Sequence, residues 1–86
     1  MRIVNKLCNV ICSFKENGEV RPHRIKIEEN DEYKVLEVKK IIYKDEEKIN
    51  GAWIKSFTCQ SEINGYERMF ELRFNKSECL WYLWKM

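Results

Sequence analysis

Eighty-six residues, 44% hydrophobic, 13% aromatic and 35% charged, make one globular domain spanning 1–86 with a single modest core, and they exclude intrinsic disorder. Sixteen basic and 14 acidic side chains are interspersed for a net charge of +2, so no strong single-sign field is implied; nucleic acid is permitted rather than indicated. The wealth of Lys, Ile, Asn and Glu suits an AT-rich bacterial or phage genome.

The opening Met1-Arg-Ile-Val-Asn-Lys-Leu-Cys8 carries charge on both sides of its apolar residues, which predicts no secretory signal. No segment approaches a membrane span, so no membrane partner is expected. The expected compartment is the cytoplasm, with Cys8, Cys12, Cys59 and Cys79 as reduced, mostly buried thiols. From Cys8 to Phe14 apolar residues recur with a period of two, which predicts a strand. Ile3, Leu7, Ile11 and Phe14 also share one helical face, so residues 2–16 could instead begin as a helix, though Asn, Cys, Ser and β-branched residues make a poor one.

All three glycines follow an asparagine, at Asn17-Gly18, Asn50-Gly51 and Asn64-Gly65, the signature of type I′ hairpins. After the first, His23, Ile25 and Ile27 alternate with Pro22, Arg24 and Lys26. Pro22 lacks a ladder donor and belongs on an edge or at a strand start. A polar turn at 29–32 leads into a long run, Tyr33 to Lys44, whose apolar phase slips by one residue near Glu37, which predicts a bulge or sharp bend. Residues 45–49 read as a charged connection, either one helical turn with Asp45 as N-cap or a plain loop. Trp53, Phe57 and Cys59 mark the next strand, and Phe70, Leu72 and Phe74 the one after Asn64-Gly65; residues 75–78 form the last turn. The final segment, Cys79 to Met86, is apolar on both parities: Leu80, Tyr82 and Trp84 on one, Cys79, Trp81 and Leu83 on the other. Such a strand lies between packed layers or exposes one face to a partner.

About six strands without a repeat or linker predict an all-β fold, an antiparallel meander curled into a small, partly open SH3-like barrel; a two-layer β-sandwich is the alternative. Catalysis has little to draw on. His23 is the sole histidine with no nucleophile near it in sequence, the serines lie in no nucleophile elbow, and every glycine sits in an Asn-Gly pair rather than a phosphate loop. Cys8 and Cys12 stand roughly 13 Å apart on a strand, too far to share zinc, and no Cys-x-x-Cys knuckle exists. No enzyme activity, cofactor or metal is expected.

Binding remains. Arg21, Arg24, Lys26, Lys34, Lys40 and Lys44 could form a cationic sheet face for single-stranded nucleic acid. Trp53, Tyr66, Trp81 and Leu83 are the candidate protein interface, because three tryptophans are hard to hide in so short a chain. The leading expectation is a non-enzymatic module for a protein partner, reached through an edge strand or the C-terminal aromatic face, with a homodimer also open. The alternatives are a nucleic-acid-binding accessory domain and a small inhibitor of phage or mobile-element origin.

As a pattern, Pro22-His-Arg-Ile-Lys-Ile-Glu28, Tyr33-Lys-Val-Leu-Glu-Val38, Phe70-Glu-Leu72 and Trp81-Tyr-Leu83 resemble an uncharacterised short bacterial all-β domain of clostridial type, over roughly residues 10 to 86. Some members of that group are encoded near translesion-type DNA polymerase genes. The matching positions are core and turn residues with no catalytic group to carry over, so the resemblance implies an accessory role linked by association to DNA repair.

Overall fold

The computed structural model describes residues 1–86, with every side chain except that of Glu29. Seven strands, β1 (Ile3–Phe14), β2 (Val20–Glu29), β3 (Glu32–Glu37), β4 (Lys40–Ile49), β5 (Ala52–Ile63), β6 (Tyr66–Asn75) and β7 (Leu80–Lys85), form one antiparallel sheet in the order β3-β2-β1-β7-β6-β5-β4. None of the described residues is helical, so the strand reading of residues 8–14 holds and extends back to Ile3. The sheet curls but does not close, a partly open all-β barrel.

Turn chemistry sets the hairpins. Asn50-Gly51 (φ 48° and 84°) and Asn64-Gly65 (52° and 81°) have both central residues left-handed, as type I′ requires. Asn17-Gly18 does not follow the expectation: only Gly18 is left-handed, its N–H donates to Lys15 O at 2.9 Å, and Asn17 Oδ1 accepts the Glu19 N–H at 3.0 Å. The extra residue there makes a type I turn closed by a left-handed glycine. Asn30 and Asp31, with φ of 53° and 61°, are both left-handed without any glycine.

One further expectation is refined and one corrected. The count of about six strands becomes seven, because the run from Tyr33 to Lys44 breaks at Val38-Lys39 into β3 and β4. Residues 45–49 are neither helix nor loop but the second half of β4. Their charges hid the strand: β4 is an edge strand pairing only with β5, exposed along most of its length, so no apolar alternation marks it.

The slip near Glu37 is a corner. Val38 N–H donates to His23 O of β2 and Lys39 N–H to Gln60 O of β5, both at 2.9 Å. The chain thus leaves β2 and joins β5 within two residues, so β3 and β4 act as one diagonal strand linking the two ends of the sheet. β1 makes a second diagonal, pairing through Ile3–Cys8 with β7 and through Asn9–Phe14 with β2. A strand that changes partners in this way turns the corner of a curled sheet.

Ile25, Ile27, Leu36, Val38, Phe57, Cys59, Phe70 and Leu72 fill the interior with Trp81 and Leu83. Each large buried side chain contributes about 1.5–3 kcal/mol. Trp81 joins the aromatics, its ring 4.8 Å from Phe74 and 5.7 Å from Phe57. The last strand therefore faces the reverse way from one of the expected arrangements: Trp81 and Leu83 point inward. Its outer aromatic face is half-buried: the Arg73 guanidinium lies 3.9 Å from the Trp84 ring, and Tyr82 stands opposite exposed Leu7 of β1.

Candidate functional site

A diagonal strand cannot pair on both sides along its whole length. Where β3 lies against β2, the end of β5 is left without a neighbour; where β4 lies against β5, the start of β2 is left without one. The result is two wedge-shaped gaps, one on each side of the Val38-Lys39 corner.

The β2–β4 wedge opens between Val20–Arg21 and Ile41–Lys44 and encloses about 330 Å³. Val20, Ile41 and Phe57 line it as an apolar floor, and Phe57 is backed by Trp81. A second cavity of about 320 Å³ shares Val20, Lys44 and Phe57 and continues past Asp45 and Glu46 to Lys55. Lys15 and Glu19 pair with each other at 3.6 Å, and Glu46 pairs with Lys76 at 2.9 Å. Arg21, Lys44 and Lys55 make no ion pair with any described residue.

The β3–β5 wedge is larger, about 820 Å³, between β3 and the Glu62–Asn64 end of β5. Ile27, Leu36, Ile63 and Met86 give it apolar walls. Its charges are mostly matched: Arg24 with Glu37 at 3.1 Å, and Lys39 with Glu62 at 3.2 Å across the corner.

The six cations expected on one face are divided. Only Arg21 and Lys44 meet at the β2–β4 wedge, while Arg24 and Lys34 line the β3–β5 wedge. Lys26 sits on the outer surface of β2 with its Nζ 4.2 Å from the Tyr33 ring, and Lys40 lies opposite Gln60 at the start of β4. Parity explains the division, because extra residues at His23 and Ile42 and the corner at Val38 each reverse which side chains face out. The candidate protein interface is divided too. Trp53 (48% exposed) and Tyr66 (75%) stand beside opposite ends of β5, whereas Trp81 (7%) and Leu83 (2%) are core and unavailable to a partner. Trp81 and Leu83 share their parity with the inward side of β6, which assigns them to the interior.

His23 also departs from expectation. Ile11 pairs with Arg24 and Cys12 with Pro22, leaving His23 as the bulged residue, exposed rather than aligned with buried Ile25 and Ile27. Pro22, next to it, is buried near the start of β2, beyond the reach of β3. The bulge brings His23 Nε2 to 2.8 Å from Ser13 Oγ, a nucleophile neighbour that sequence distance had concealed. A serine–histidine pair is the first part of a nucleophilic site. Here it lies on open surface, and no described carboxylate hydrogen-bonds the ring to orient it.

The four free thiols spread through the fold. Burial pushes the Cys59 thiol up to about 12 and Cys8 up to about 11, and it also raises Cys12; Cys79 is exposed in the last turn. Among the described residues no group of three His, Cys, Asp or Glu side chains converges as a metal site. Among the described residues no helix is long and apolar enough to cross a membrane. Comparison of the chain with protein-family models, with characterised proteins and with solved structures gave no match.

Proposed function

We propose that this protein is a non-enzymatic binding module that holds a protein partner by strand addition at an open wedge of its barrel. The observation that carries the reading is the diagonal β3–β4 strand, which leaves backbone edge unpaired beside an apolar floor. An extended peptide can satisfy such an edge with main-chain hydrogen bonds while alternate side chains enter the floor. Edges of this kind are ordinarily covered or guarded. The guarding of β4, a bulge at Ile42 and charges from Lys44 to Lys48, filters partners by charge rather than excluding every strand.

The nucleic-acid reading has less support, because its six cations do not share one surface and three of them are engaged, Arg24 by Glu37, Lys26 by Tyr33, and Lys34 as well. An inhibitor of phage or mobile-element origin would use the same protein-binding wedge and is a special case of this proposal.

Panning displayed random peptides against the intact protein tests it. The counter-selection is a variant with Lys44→Pro, which removes an N–H that points to the free edge of β4, set beside Lys44→Ala as its charge-matched control. Selected peptides are expected to lose binding to the proline variant and to protect β4 amides from hydrogen exchange. Peptides that bind both proteins equally and protect other strands would overturn the reading.

A further inference from the structure

We propose that the natural occupant of the β2–β4 wedge is an extended peptide segment with acidic side chains, added along β4 with its carboxylates against Arg21, Lys44 and Lys55. This rests on the strand-addition reading and supplies the partner's chemistry. The argument begins with charge. Around the wedge and its continuation, Lys15–Glu19 and Glu46–Lys76 are neutralised internally. Of the rest, three cations make no ion pair with any described residue, against one carboxylate, Asp45, whose Oδ1 accepts the Glu46 N–H at 2.9 Å. The vacancy is therefore cationic at its rim and apolar at its floor, complementary to a strand that carries both acidic and apolar side chains.

Two other occupants fit less well. A second copy pairing β4 to β4 about a two-fold axis would set the central residue opposite itself. From Lys44 to Lys48 every residue is charged, so each register centred there opposes like charges. Single-stranded nucleic acid would stack successive bases on several exposed rings, whereas the wedge offers one, Tyr43, its aromatic floor Phe57 being only 2% exposed.

The test uses the intact protein, isotope-labelled, and a capped heptapeptide alternating Glu with Val and Thr. The controls are its lysine counterpart and an oligothymidylate. The acidic peptide is expected to shift the amides of residues 41–47 and 20–21 and to bind about tenfold or more tightly than the lysine peptide. Arg21→Glu with Lys44→Glu should reverse that preference. Both side chains are exposed, so the melting temperature should hold and separate lost binding from lost fold. Arg68→Glu in the other wedge should leave the preference unchanged. Equal shifts from both peptides along β4 would overturn the acidic assignment and leave strand addition standing. No shift from either at millimolar concentration would overturn both, and a stronger response to the oligothymidylate would overturn the peptide in favour of nucleic acid.

Discussion

The two wedges share one origin and differ in what fills them electrostatically. Both arise because one diagonal strand changes partners at Val38-Lys39, and both have apolar walls. The β3–β5 wedge is the larger, at about 820 Å³ against about 330 Å³, yet its rim ties most of its charges together through Arg24–Glu37 and Lys39–Glu62, with Lys34 engaged as well and Arg68 alone making no ion pair with a described residue. The β2–β4 wedge leaves Arg21, Lys44 and Lys55 without an ion pair to any described residue. Volume and readiness to bind are therefore separate properties: a self-neutralised rim offers a ligand little that water does not.

The largest effect should come from what both wedges depend on. Deleting residues 80–86 removes buried Trp81 and Leu83 and the strand between β1 and β6, and should unfold the chain outright, seen as loss of amide dispersion and of a cooperative melt. A truncated chain that still melts cooperatively would mean that the wedges do not rest on β7.

Next come the walls. Phe57→Ala under the β2–β4 wedge should cost about 3–5 kcal/mol, and Leu36→Ala beside the β3–β5 wedge about 2–5 kcal/mol, by chemical denaturation. Losses well under 1 kcal/mol at either position would show that its wedge is an open cleft rather than a packed wall.

A pH effect sharpens the comparison at the seam, where Cys59 pairs with Ile41 of the β2–β4 floor. Its folded thiol is pushed up to about 12 by burial, above the ordinary value of about 8.5. The protonated thiol favours the folded state, so that contribution is complete below the ordinary value and is lost as pH rises toward the folded one. Stability should fall more steeply above pH about 9 in the natural chain than in Cys59→Val. Parallel curves for the two proteins would remove Cys59 from the account.

The smallest effects separate the rims. Lys39→Ala should cost about 0.2–1 kcal/mol, since its pair with Glu62 is more than half exposed on the lysine side. Lys44→Ala, which breaks no ion pair, should change stability by less than about 0.5 kcal/mol. A larger loss at Lys44 than at Lys39 in thermal melts would contradict the assignment of free and paired charge.

Part of this was legible in the chain and part was not. The Asn-Gly pairs announced the hairpins, and the alternation over Phe70, Leu72 and Phe74 and the phase slip near Glu37 located a core strand and a corner. The candidate site was much less legible. Arg21 and Lys44 stood among six cations with nothing to distinguish them, and Lys55 was not singled out at all. Its only signal was a charge on the parity of Phe57 and Cys59.

By itself the sequence determined what depends on neighbours a few residues apart: turns, because Asn and Gly accept left-handed backbone, and strands, because a half-buried sheet imposes a period of two. Tertiary structure alone decided the rest. The bulges at His23 and Ile42 each add one residue on one strand, and that reverses which side chains face out without leaving a compositional trace. They placed His23 beside Ser13 and divided the cations between the wedges, while the register of β7 with β6 separately put Trp81 and Leu83 in the core. Whether a charge is paired can depend on a residue far along the chain, as with Lys39 and Glu62, 23 positions apart, and only the curled sheet brings such residues within reach.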